Sequence, residues 1–273
     1  ARLDRVRRAY HRLEYVSPDP VELLHGYSDV RDREIVGLVA SGLSYGRVEQ
    51  ILRSARVVLA ALGDSPAAFV AGAGERELRA ALDGFRHRFT SGEEMVSLLL
   101  GAGAVLRRDG SVEACFARGL SPSDETTVSA LSAFVERLGT ACECRPASLL
   151  PVPARGSACK RLHLYLRWMV REDAIDPGGW RCARRSQLVV PLDTHMHRIA
   201  LALGLTGRKQ ADLMTALDIT AALREIDPED PVKYDFAITR IGIRGDAAGE
   251  RELTGAAAAC REASTTCSFN PRT

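Results

Sequence analysis

Apolar residues recur at helical spacing along most of this chain, and the places where that spacing breaks divide it into elements. Leu3, Val6, Tyr10 and Leu13 fall on one face of residues 1–15 and predict an amphipathic helix. The run Ser17-Pro18-Asp19-Pro20 ends it and caps a short second one. From Asp29 to Leu43 the pattern turns Ile35, Val36, Leu38 and Val39 inward, and SGLSYGR (Ser41 to Arg47) interrupts it with two glycines before a helix over Val48 to Leu62. That Gly-Ser-Tyr stretch reads either as a tight turn or as a place where backbone approaches a ligand closely. Asp64-Ser65-Pro66 caps a further helix, Glu75 to Leu82 form another, and Ser91 with Glu94 makes a capping box ahead of Met95 to Leu106. Val112 to Ala117 and Thr126 to Leu138 are helical by period, and the proline-rich, irregular Ala141 to Ser157 delivers the chain to a basic amphipathic helix that opens near Lys160.

After the apolar entry Leu188, Val189, Val190, Asp193 stands at the mouth of a helix that runs to Leu203, followed by Gln210 to Arg224. Asp227-Pro228 and Asp230-Pro231 are helix-start pairs, and the last helix carries Lys233, Asp235 and Phe236. No run alternates as a strand would, so the expected class is all-α, with one domain over residues 1–244. From Gly245 to Thr273 the chain is rich in Gly, Ala, Ser and Thr and is expected to be a weakly structured tail.

Composition narrows the compartment and leaves the partner open. The longest uncharged run of the first half, Met95 to Leu106, is too short to cross a bilayer, and the opening residues mix charge throughout, so a cytoplasmic protein without a membrane partner is expected. The cysteines are scattered and read as free thiols; Cys142 and Cys144 form a Cys-x-Cys pair with no second pair beside it, a weak metal signal. Positive and negative side chains nearly balance, 37 against 35, which neither requires nor excludes a polyanion, because local clustering decides phosphate binding. One such cluster is FRHRFTSGEE (Phe85 to Glu94), which reads as a contact to a phosphate backbone or as a solvated loop. Of the 37 cations only Lys160, Lys209 and Lys233 are lysine. A coding bias towards arginine explains that; so does a need for one amine that can lose its proton, which arginine cannot supply.

Taken alone, Lys160 reads as a solvated helix lysine and Asp193 as an N-cap that accepts from the amide of His195 or Met196. The segment from Gly156 to Lys160 followed by PLDTHMHRIA, however, resembles the helix-hairpin-helix DNA glycosylase superfamily, whose bifunctional members carry a lysine after the hairpin glycine and, downstream, an aspartate at a Val-Asp-x-His-type helix start. The interval from Lys160 to Asp193 is similar to that of the archaeal-type 8-oxoguanine DNA glycosylases. The run KRLHLYLRWMVR … LDTHMHRIALALGL … DPVKYDFAITRIGIR also resembles a bacterial family known only as a domain of unknown function, over Asp19 to Arg244.

The resemblance implies a two-lobed helical fold with the site between the lobes, acting as a monomer on double-stranded DNA that contains an oxidised base. It implies Lys160 as the nucleophile, forming a Schiff base and leading to strand cleavage by β-elimination, and Asp193 as charge stabiliser and proton relay. Free lysine titrates near ~10.4, so the amine must be made neutral by burial or by adjacent cations, for which Arg161 and Arg167 are the candidates. Ser44, Tyr45, Leu164, Arg167, Asp235 and Phe236 would line the base pocket, with Asp235 accepting the N7 hydrogen that distinguishes 8-oxoguanine from guanine. Arg155, Gly156, Ser157, Arg161, His195 and Arg198 would meet DNA. His195 and His197 fit phosphate contact or helix capping; metal binding by this pair is disfavoured because positions i and i+2 of a helix point apart. Two features depart from the family. The hairpin PVPARGSACK has one glycine, with the lysine four residues beyond it, and the tail holds only Cys260 and Cys267 where an iron-sulfur cluster needs four cysteines. No cofactor is expected, apart from a monovalent cation at the hairpin. Two rival readings are a catalytically silent nucleic-acid-binding module of the same fold and a helical scaffold with no nucleic-acid role.

Overall fold

Two apolar cores organise the computed structural model, which describes residues 2–140, 146–244 and 246–254. The chain opens with α1 (Arg2–Tyr10), and the first core is then built by α2 (Val30–Gly42), α3 (Val48–Leu62), α4 (Pro66–Gly72), α5 (Glu75–Ala81), α6 (Gly92–Asp109), α7 (Val112–Ala117), α8 (Val128–Gly139) and α9 (Lys160–Val170). α2 is its axis: every residue from Ile35 to Gly42 is buried, so it is enclosed on all sides rather than amphipathic. It packs on α9 at Gly37, where a Cβ would lie 2.8 Å from the Tyr165 ring. α1 returns in the second core, beside α10 (Thr194–Leu203), α11 (Leu213–Ile226), α12 (Asp235–Arg244) and α13 (Ala247–Thr254). The protein is all-α apart from one hairpin, β1 (Arg86–His87) paired antiparallel with β2 (Thr90–Ser91). Among the described residues no single helix is long and apolar enough to cross a membrane.

Most caps follow the local chemistry. Asp29 accepts from the amide of Arg31 at 2.7 Å to start α2, and Ser91 with Glu94 closes the capping box of α6. At α4 the capping group comes from elsewhere. Ser65 donates its hydroxyl to Asp32 at 3.1 Å, and Asp32, from α2, takes the amide of Ala67 at 2.8 Å. Asp230 is likewise no cap: its carboxylate meets Arg171, and a short 3-10 turn, Pro231–Tyr234, precedes α12.

Tertiary packing overrides the pattern in three places. The first helix ends at Tyr10 because Leu3 and Val6 belong to the second core while Tyr15 and Val16 pack on the first, so the chain must cross between them. The aromatic-basic run forms a hairpin because His87 is wholly buried between Ser54 Oγ (2.9 Å) and the Tyr45 carbonyl (3.2 Å). Residues 247–254, where composition suggests little structure, form a helix anchored by fully buried Leu253 and packed on α1, α10 and α12. Cys142, Cys144, Cys260 and Cys267 lie outside the described residues.

Candidate active site

The hairpin segment ahead of α9 sets where Lys160 points. Gly156 (φ 85°) and Cys159 (φ 42°) both adopt left-handed backbone, and Leu213 donates its amide to the Gly156 carbonyl at 3.0 Å, tying the turn to the start of α11. Lys160 is thus the first residue of a helix rooted in the first core, held against the second. Its Nζ lies 3.7 Å from Oδ2 of Asp193. The other oxygen of Asp193 accepts the Met196 amide at 2.8 Å, so one carboxylate both caps α10 and faces the amine. The two side chains are 31% and 22% exposed, and a pair so open to solvent adds only ~0–1 kcal/mol to stability. The fold gains little from this pairing.

Beside the pair, between the cores, opens a cleft of about 480 Å³. Lys160, Ser44, Tyr45, Leu164, Arg167, His195 and Asp235 line it, while Asp193 stands behind the amine and not in the wall. The expected pocket residue Phe236 is absent from the lining: its ring is 2% exposed and packs behind the wall, with the guanidinium groups of Arg240 and Arg167 over it at 4.8 and 5.9 Å. Arg240 and Thr239 line the cleft instead. Thr239 lies four residues after Asp235, so helical spacing alone puts it on the same face. Nothing in the sequence marks Arg240, which reaches Asp19 and donates to the Pro18 carbonyl at 3.2 Å.

Asp235 is the most unusual group of the cleft. It is 2% exposed; Oδ2 is held by Arg167, and Oδ1 is buried with no hydrogen-bond partner. Burial pushes its pKa up to about 6, against the pull of Arg167, and nearby Asp193 adds to the rise. Arg167 also donates to Asp176 from Nε (3.1 Å) and Nη2 (3.0 Å). Asp176 in turn takes Arg171 Nε at 3.0 Å, and Arg171 reaches Asp230 at 2.9 Å and Asp173. Burial opposes the charge on Arg167, but Asp176 and Asp235 outweigh it and hold the guanidinium ionised. A buried ionic chain therefore runs from the cleft through α9 to the elements of the second core.

The other expected site residues divide. Ser44 is buried and donates to the Ala40 carbonyl at 2.8 Å, and Tyr45 is fixed through its hydroxyl, which donates to the His87 carbonyl at 2.8 Å and accepts the Thr90 amide at 3.1 Å. Arg161 is not a free phosphate ligand: it donates to the carbonyls of Gly42 (2.6 Å) and Ser148, with its guanidinium 5.1 Å over the Tyr45 ring. It is a strut between the Gly-Ser-Tyr loop and the hairpin, and with Arg167 committed to carboxylates, neither serves as a cation set against the amine. Arg155, Gly156 and Ser157 are exposed on the hairpin, and Gly156, Ser157 and Lys160 border a second hollow of about 400 Å³. His195 lines the cleft against Gly242, where a Cβ would lie 3.1 Å from its ring, and Arg198 is exposed on α10. His197 meets the Arg208 carbonyl at 2.8 Å, and Lys233 is held by Asp227 away from the cleft lining. Among the described residues no group of three or more His, Cys, Asp or Glu could hold a metal ion.

A family model described as a protein of unknown function (DUF2400) matches residues 19–244. No curated protein and no solved structure matches the chain.

Proposed function

The chain belongs to that family, and from the chemistry of its cleft we propose that it is a DNA glycosylase and AP lyase of the helix-hairpin-helix type that removes 8-oxoguanine. The observation that carries this is the Lys160 amine 3.7 Å from a helix-capping carboxylate, at the wall of a cleft that holds a second, buried carboxylate with an unpartnered oxygen. A volume of about 480 Å³ falls within the ~300–1,000 Å³ of small-ligand sites and accommodates an extruded purine nucleoside.

The ammonium of Lys160 first gives up a proton, for which Asp193 Oδ2 is the nearest acceptor. The neutral amine attacks C1′, the bond from C1′ to the base breaks, and the electron pair leaves with the base. Asp193, ionised at a helix N-terminus, offsets the positive charge that develops on the sugar. Ring opening leaves a Schiff base; loss of a C2′ proton then expels the 3′ phosphate and cuts the strand. Asp235 Oδ1 reads the base. 8-Oxoguanine carries a hydrogen at N7 where guanine has a lone pair, so an ionised Asp235 accepts from the lesion and repels the normal base.

Asp193→Asn tests the first role separately from capping. Asparagine caps as well as aspartate, so α10 and DNA binding are expected to persist, while single-turnover excision falls on the order of 10²–10³-fold. An unchanged rate would remove Asp193 from the mechanism.

The second role has a pH signature. With Asp235 titrating at about 6, excision of 8-oxoguanine should fall as pH drops below that value, and Asp235→Asn should flatten this acid limb and narrow the preference over guanine. Acid unfolding does not account for such a limb. A carboxyl raised above its ordinary 3.8 contributes stability that is complete below that value and lost as pH rises through about 6, so acidification adds to the fold at this residue. A limb that survives Asp235→Asn would assign it to another group.

A further inference from the structure

The aromatic-basic hairpin, which the chemistry above does not use, carries the most exposed large apolar side chain among the described residues: Phe89, 79% exposed. An isolated two-residue hairpin would not hold a ring in one place, but this one is braced. Tyr45 bonds both strands through its hydroxyl, and His87 is sunk to full burial beneath them. Arg88, at the turn, has left-handed backbone (φ 54°), a conformation that costs a non-glycine residue and persists only where its surroundings impose it. Its guanidinium lies 5.7 Å over the Phe89 ring and 5.9 Å over that of Tyr45, a lining residue of the cleft. Gly46 permits this approach, since a Cβ there would lie 2.7 Å from Arg88 Nη1.

A ring held in water, coupled through one guanidinium to the cleft wall and flanked by exposed Arg86 and Arg88, is matched to a partner that offers flat apolar faces between anionic groups. We propose that Phe89 inserts into the base stack of duplex DNA at the gap left when a nucleotide enters the cleft, with Arg86 and Arg88 against the flanking phosphates. This rests on the base-excision reading, because the gap exists only if a base is extruded. The ring supplies stacking that the vacated step has lost, and so favours the extruded state over the closed duplex.

Phe89→Trp in the Lys160→Gln background, titrated with a duplex that contains a tetrahydrofuran abasic analogue, reads insertion without chemistry. Trp168 and Trp180 are buried and give a constant background. Emission of the introduced indole is expected to fall about twofold with this duplex and to stay unchanged with the same sequence as a single strand. Phe89→Ala should bind the abasic duplex about tenfold more weakly with single-strand affinity unchanged, and Phe89→Trp should restore the duplex affinity. Bound duplex with no quenching, or equal loss on both strand forms, overturns the insertion. Quenching without base release by the Lys160-bearing protein keeps the insertion and removes the enzyme reading, and base release without quenching does the reverse.

Discussion

Lys160→Gln is expected to abolish the covalent adduct that borohydride traps between this protein and an 8-oxoguanine duplex, and to lower base release by on the order of 10⁴-fold or more. A nucleophile that forms a covalent intermediate has no partial substitute, whereas groups that only stabilise charge leave residual rate. Glutamine keeps the length of the side chain and much of its polarity, and the pair it breaks is partly exposed, so thermal stability and duplex affinity should change little. Lys233→Gln is the control. That amine is bound by Asp227 and lies 5.0 Å over the Tyr234 ring, outside the cleft, so its loss should leave the adduct intact. A gel band that survives Lys160→Gln would sink the assignment. Duplex binding with no adduct and no base release from any of a panel of lesions would favour a binding module instead.

Arg167→Met is expected to lower stability by about 3–5 kcal/mol, or roughly 10 °C in melting temperature. Methionine approximates the aliphatic stem but leaves Asp176 and Asp235, 1% and 2% exposed, without their shared cation. Breaking a buried pair costs far more than the pair contributes, because the remaining charge has neither water nor partner. The same change removes the main influence that holds the Asp235 pKa down, so its acid limb should move to higher pH. Thermal unfolding and a pH–rate profile check both; a melting point within 2–3 °C of wild type, an interval of about 1 kcal/mol, would show that solvent reaches these carboxylates.

The elements with uninterrupted period and local caps were legible in the sequence. Val48–Leu62 and Val112–Ala117 have the limits their pattern predicts, and the Ser91–Glu94 box is present. The Lys160–Asp193 proximity is a different matter, since no periodicity relates residues on two helices; the resemblance suggested it, and the distance was open until α9 and α10 had coordinates. What sequence reading missed is mostly what non-local partners decide. Arg161 looked like a phosphate ligand because nothing in its own helix shows the carbonyls of Gly42 and Ser148 that claim it. Phe236 and Asp235 are neighbours on one helix, and which of them faces the cleft depends on α1 and α9. Helix α13 was unreadable from composition because a single buried leucine and its contacts with α1 stabilise it.

The first helix closes the second core, where Asp4 accepts from Tyr234 at 3.0 Å across 230 positions of chain. Contacts of that sequence separation form late in folding, and on the ribosome not before residue 234 has emerged. A nascent chain ending before Asp193 holds the amine with no acid beside it. Any chemistry of the pair thus waits on synthesis of nearly the whole molecule, which keeps a half-made chain from acting on nucleic acid.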